Sequence, residues 1–317
     1  MNLDTKRIGP HFLGIGAPRC GTTWLHKMLS KHPGIWMPPI KELHYFDSID
    51  PTIDEKAHVD SAAYRFKWMF LRRTMHYGGY LLRDFVEEAK SRARPDLRWD
   101  YAFFKPGGSL DWYRNLFDRP KEFGKITGEI TPAYIMLSSD MIKTIKEQLN
   151  IKKIILLLRN PVYSTWSSLE KQTRDGQIQA NENSIEDLVK RARSPLLFGR
   201  YNYVDNLERW LKHYDRNDIF IGFFEEVEQT PELLLSKIFS FLEVDDVSKQ
   251  LSLEAKKRIN AASGSLEAIP PEVKYELALI HHEQIDRLRK QVNGFSENWY
   301  AEIQEILKAP KNVKSAV

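Results

Sequence analysis

Cysteine is almost missing: Cys20 stands alone among 317 residues. A single thiol cannot close an intrachain disulfide, which excludes the stapled architecture of small secreted domains. Long apolar runs are missing as well. The longest purely aliphatic stretch, Ile154 to Leu158, falls far short of the ~20 residues that a membrane-spanning helix requires, and the polar segment Met1 to Pro10 has no apolar core of a signal peptide. Nor is there an excess of one charge. The 47 Lys+Arg against 43 Asp+Glu leave only +4, too little for bulk binding to nucleic acid or to a membrane surface. There is no internal repeat and no low-complexity segment. These absences lead us to expect a cytoplasmic protein with no nucleic-acid partner and no membrane span, whose charges act locally.

What is present reads as a globular α/β chain. Apolar residues make up 42% and charged residues 28%, near the averages of folded domains, and the length suits one domain over 1–317. His11 to Gly16 reads as a short buried strand, followed by a Gly/Pro turn and then by helical spacing over Thr22 to Lys31, with Trp24, Leu25, Met28 and Leu29 apolar. Further strands are expected at Gly34 to Met37, within Lys125 to Tyr134, at Lys152 to Leu158 and at Asp218 to Phe224. The continuous aliphatics of the fourth suit a parallel strand buried on both faces. Helices fit at Asp140 to Gln148, Tyr163 to Lys171, Asn202 to Tyr214 and Pro231 to Leu242, with a long amphipathic one ending near Val292. Strands alternating with helices predict a three-layer α/β/α fold around a central parallel sheet of about five strands. Residues 48–122, rich in basics and aromatics, read as a helical insertion on the acceptor side, or else as an ordinary helical layer with snorkelling basic stems.

The segment Gly14-Ile15-Gly16-Ala17-Pro18-Arg19-Cys20-Gly21-Thr22-Thr23 joins a strand to a helix, where backbone N–H groups and the helix dipole favour an anion. Gly16 and Gly21 have the Walker A spacing, yet Thr22 stands where that motif requires Lys, and the positive charge has moved forward to Arg19. An ATPase or kinase also needs a carboxylate at a later strand end to hold Mg²⁺. Here the most strand-like segment ends in Arg159, a cation. Two anion sites in one cleft without a metal site suit a nucleotide that carries two separated phosphates and a transferable sulfuryl group.

Taken together, these residues resemble the PAPS-dependent sulfotransferases (PAPS, 3′-phosphoadenosine 5′-phosphosulfate). Their phosphosulfate loop has the form Lys/Arg-x-Gly-Thr-Thr followed by Trp-Leu, seen here as Arg19-Cys20-Gly21-Thr22-Thr23-Trp24-Leu25. Within that superfamily the chain is most similar to the heparan-sulfate-type branch and its bacterial relatives. The carriers of that likeness are His32-Pro33, the loop Lys41-Glu42-Leu43-His44-Tyr45-Phe46-Asp47, the block Gly128-Glu129-Ile130-Thr131-Pro132-Ala133-Tyr134, and Leu158-Arg159-Asn160-Pro161-Val162 with Ser167 beyond it. Gly199-Arg200-Tyr201, Leu207 and Trp210-Leu211 resemble a later block. The chain departs from the branch at Ile130, where Lys is common, and in having no C-terminal disulfide, which argues against a heparan-like acceptor.

The resemblance implies a metal-independent sulfuryl transfer from PAPS to a hydroxyl or amine, leaving 3′,5′-ADP. It implies Glu42 as general base, with His44 as an alternative base or a structural histidine and Lys41 as a possible assistant. Arg19 would stabilise the departing phosphate. Arg19, Cys20, Gly21, Thr22, Thr23 and Trp24 would surround the 5′-phosphate, and Arg159 and Ser167 the 3′-phosphate, with Tyr201 nearby. Cys20 has no visible His partner and reads as loop packing rather than as a nucleophile. Glu129 and Tyr134 are expected at the acceptor side or the sheet edge. The acceptor is expected to be a small molecule, a glycan or a lipid. Two other readings stay open at this point: a P-loop nucleotide kinase, and a non-catalytic nucleotide-binding protein.

Overall fold

The computed structural model describes residues 9–53, 97–104, 108–122, 125–178, 184–257 and 269–308. Five short strands form the sheet: β1 (Phe12–Gly16), β2 (Ile35–Trp36), β3 (Ile126–Ile130), β4 (Lys153–Leu158) and β5 (Ile219–Phe223). All pairings are parallel, in the order β2-β3-β1-β4-β5. The central strands are buried along almost their whole length, which is why they read as unbroken apolar runs rather than as alternating ones.

Helices fill the connections. In chain order they are α1 (Thr22–Leu29), α2 (Phe46–Ile49), α3 (Leu97–Phe104), α4 (Leu110–Glu122), α5 (Ser139–Leu149), α6 (Pro161–Arg174) and α7 (Ile185–Ala192). Then follow α8 (Pro195–Tyr201), α9 (Tyr203–Leu211), α10 (Phe224–Gln229), α11 (Pro231–Leu242), α12 (Ser248–Ala255), α13 (Pro271–Arg289) and α14 (Phe295–Lys308). This is the expected α/β P-loop architecture with a parallel central sheet. No helix among the described residues is long and apolar enough to cross a membrane.

Local chemistry sets the boundaries. The Asn160 side chain accepts from the Val162 amide and Pro161 takes the first helical position, so α6 starts two residues before the expected Tyr163. Ser184 and Ser194 cap α7 and α8 in the same way. The strand expected within Lys125 to Tyr134 is β3, Ile126–Ile130, and Pro132 then opens a 3₁₀ turn over Pro132–Met136.

Of the aromatics in the expected insertion, Tyr64, Phe66, Trp68, Phe70, Tyr77 and Tyr80 lie outside the described residues. The described part packs as a helical layer. Trp99, Phe103, Tyr113 and Phe117 are buried, and the rings of Trp99 and Phe103 stack 5.0 Å apart.

The strand order places the site. To reach β4 from β3 the chain must pass over β1, so the connections leave β1 toward opposite edges of the sheet. A crevice opens at such a reversal, beyond the carboxyl ends of the strands.

Candidate active site

The first wall of the crevice is the loop between β1 and α1. Gly21 caps α1 with φ 86°, a left-handed conformation that favours glycine, and a Cβ there would meet the Phe224 ring at 3.2 Å. No side chain caps α1. The threonines are therefore not caps: Thr22 and Thr23 stand inside the first turn, whose N–H groups are left for an anion. The Cys20 side chain is fully buried, its thiol near the Pro18 carbonyl, Ser164 and Tyr203, and burial pushes its pKa up to about 11. Only the backbone of Cys20 can serve a ligand. Trp24 is likewise buried, and its indole donates to the Ala255 carbonyl at 2.9 Å.

The second wall carries cations. Arg159 follows β4 directly, and its guanidinium lies 4.5 Å from the centre of the Phe224 ring. Ser167, on α6, is 7% exposed and accepts a hydrogen bond from Arg19 Nε at 2.9 Å. Arg19 and Ser167, expected at different phosphates, are in contact in the fold. Burial, and then the neighbouring Arg174 and Arg159, lower the pKa of Arg19 against the raising effect of Tyr201. Such a cluster of cations is relieved by a bound anion. Tyr201 is fully buried and shares a hydrogen bond with Ser168 at 2.5 Å, so it supports this wall from behind.

The third wall is the loop ahead of α2. The Glu42 amide donates to the Ile130 carbonyl at the end of β3, and Ile130 pairs in register with Gly14 on β1. The backbone of Glu42 is thus anchored one strand away from β1. Glu42 forms an ion pair with Lys41, and its Oε2 lies 3.4 Å from His44 Nε2. His44 Nδ1 lies 2.6 Å from Asp47 Oδ2. Only a doubly protonated imidazole satisfies both carboxylates. Burial disfavours the charge on His44, but the bonds to Asp47 and Glu42 outweigh it and raise the pKa to about 9. Burial likewise opposes ionisation of Glu42, and Lys41 and His44 overcome it, holding the carboxyl below its usual range.

Among the described residues, five other than glycine have positive φ. Asn150 and Glu243 end helices, where this conformation is routine. The other three are Arg19 (φ 63°), Glu42 (φ 64°) and His44 (φ 51°), all candidate site residues. Each left-handed backbone costs roughly 1–2 kcal/mol, and such strain concentrates where function needs a side chain aimed.

Sequence reasoning gave no role to Asp47, Phe224 or Arg174. Asp47 had a readable signal, its three-residue spacing from His44. Phe224 and Arg174 had none, since their places depend on how β5 and the end of α6 meet the loop. Glu129 and Tyr134, expected at the acceptor side or the sheet edge, are both buried, at 1% and 0% exposure.

A family model described as the sulfotransferase domain matches residues 10–306. Among solved structures, a sulfotransferase from Alicyclobacillus acidocaldarius aligns with 20% identity and a TM-score of 0.55, over 92% of this chain and 98% of that one. The sulfotransferase STF9 from Mycobacterium avium aligns with 13% identity and a TM-score of 0.51, over 92% of this chain and 78% of the other. At these identities the two structures speak for the fold. Among curated proteins none matches the chain.

Proposed function

The chain belongs to the sulfotransferase domain family, and from that premise we propose that it moves a sulfuryl group from PAPS to a hydroxyl or amine acceptor, without a metal, with Glu42 as the base. The observation that carries this reading is the setting of Glu42: an ionised carboxylate, 34% exposed, on a loop whose backbone is held at the end of β3, the strand that pairs with β1.

The residues fit a nucleotide with phosphates at both ends of the ribose. The uncapped first turn of α1 and Arg19 form one anion site, and Arg159 with Ser167 forms the other. When bound, PAPS supplies an electrophilic sulfur and leaves as 3′,5′-ADP. Glu42 takes the proton of the acceptor as the acceptor oxygen or nitrogen bonds to sulfur and the bridging S–O bond breaks. Arg19 and the amides of Thr22 and Thr23 neutralise the charge that grows on the departing phosphate. In the resting site, Lys41 and His44 make Glu42 a weak base. An incoming anion competes for Lys41, and the loss of that pairing raises the basicity of Glu42 when the reactants are in place. The acceptor is a small molecule, a glycan or a lipid.

The test is turnover of PAPS by Glu42→Gln against wild type, with 3′,5′-ADP binding measured on both. Loss of turnover with binding retained supports the assignment. Unchanged turnover removes Glu42 as the base.

A further inference from the structure

We propose that Glu129 is the positioning residue of the Glu42 loop, a buried carboxylate that fixes the loop backbone from below and ties it to helix α4. The proposal deepens the reading of Glu42 as the base and rests on it.

Glu129 is 1% exposed, near the end of β3. Its Oε1 accepts from Tyr113 at 2.6 Å and from Tyr134 at 3.0 Å, and its Oε2 accepts from Thr131 at 2.8 Å. The backbone N–H of Leu43 faces the same carboxylate. These donors match the roughly four acceptor positions of an ionised carboxylate. No cation is among them. Burial therefore pushes the pKa of Glu129 up, while the hydroxyls of Tyr113, Thr131 and Tyr134 pull against that rise. Apolar side chains would fill this volume at lower cost. What a carboxylate adds is direction, since each donor must point at it.

The bonded groups lead to the reactive loop. The Tyr134 hydroxyl that donates to Glu129 accepts the Tyr45 amide at 3.1 Å. The Glu42 amide is held by the carbonyl of Ile130, the residue next to Glu129. The amides of Glu42, Leu43 and Tyr45 thus all face the end of β3, and they bracket Glu42 and His44, the two left-handed residues whose conformation needs outside support. The third donor reaches the other way. Tyr113 belongs to α4, and its ring stacks on Tyr45 with centroids 4.8 Å apart and planes at 17°. Glu129 therefore joins α4, the loop and the sheet at one point.

In Glu129→Gln the volume is kept, but the amide brings a donor to a place where hydroxyls already donate, so at least one bond fails. The first readout is hydrogen exchange of residues 42–45, which needs no acceptor. We expect protection of these amides to fall at least roughly tenfold while β4 stays protected. With water as acceptor, hydrolysis of PAPS to 3′,5′-ADP and sulfate should show kcat down by roughly tenfold or more and KM for PAPS within about twofold of wild type. Protection that is unchanged, or that is lost equally from β4, overturns the proposal, as does a KM that changes in step with kcat. Should Glu129→Gln fail to fold, Tyr134→Phe removes the link to Tyr45 and leaves the carboxylate in place; its Tyr45 amide must then lose protection, and an unchanged amide overturns the proposal. If wild type neither binds 3′,5′-ADP nor consumes PAPS, the functional reading falls, and the exchange result still decides the role of Glu129.

Discussion

At the scale of single residues, four side chains on one short loop share charge in a chain: Lys41 to Glu42, Glu42 to His44, His44 to Asp47. Replacing Glu42 by Gln should lower turnover of PAPS by about 100-fold or more, the usual size of a general-base effect, and leave 3′,5′-ADP binding near wild type. His44 gives a pH signature. Its pKa in the fold is raised from 6.5 to about 9, so the folded state holds its proton more tightly than the unfolded chain. Its contribution to stability is full below about 6.5 and disappears as the pH rises through about 9. Thermal unfolding of wild type and His44→Gln should therefore differ most in mild acid and converge above that pH. A gap that widens with rising pH would contradict the assigned charge state.

At the scale of elements, helix α14 braces the proposed nucleotide site from outside it. Glu302 of α14 accepts from the Asn160 side chain at 2.9 Å and from the Tyr163 hydroxyl, and it pairs with Lys274 on α13. Trp299 on the same helix donates to Glu225 Oε1 at 2.6 Å. The Glu302 bonds hold the start of α6 next to Arg159, and the Trp299 bond holds α10, which carries Phe224. Glu302→Ala should then weaken 3′,5′-ADP binding several-fold and cost about 1–3 kcal/mol of stability through the partners left unpaired, as calorimetry and denaturant unfolding would show.

The elements also mark how far the sequence could be read. Strands β1 and β4 are legible because parallel strands buried on both faces read as apolar runs, whereas β3 carries the buried Thr127 and Glu129 and is less plain. The loop from Lys41 to Asp47 was legible through its likeness to a known motif. Helices α7 and α8 lie outside the expected elements although Ser184 and Ser194-Pro195 are readable starts and Ile185, Leu188, Val189 and Ala192 keep helical spacing in α7, because each is barely two turns long. The contact between Arg19 and Ser167, the Phe224 platform under Arg159 and the burial of Glu129 were beyond reach. Each joins segments far apart in the chain, and only the strand order β2-β3-β1-β4-β5 brings them together.

At the scale of the whole molecule, the candidate site gathers four segments: the loop between β1 and α1 with the first turns of α1, the loop from Lys41 to Asp47 after β2, Arg159 at the end of β4, and Ser167 on α6, with Tyr201 of α8 behind it. A ligand that bridges two of these walls should stabilise the entire domain. At 100 times its Kd, 3′,5′-ADP should add about 2.7 kcal/mol, a rise in Tm of roughly 4 °C for a chain of this length. Differential scanning fluorimetry across a concentration series checks this, and a Tm independent of nucleotide would count against a two-walled site.

The central claim is that the cleft binds a nucleotide by two separate phosphates, and the measurement that tests it most directly is calorimetric titration of 3′,5′-ADP in EDTA into wild type and Arg159→Ala. The account predicts tight binding by wild type without metal, weakened roughly 10- to 100-fold when the charged partner of the 3′-phosphate is removed. No binding by wild type, or equal binding by both proteins, would contradict it.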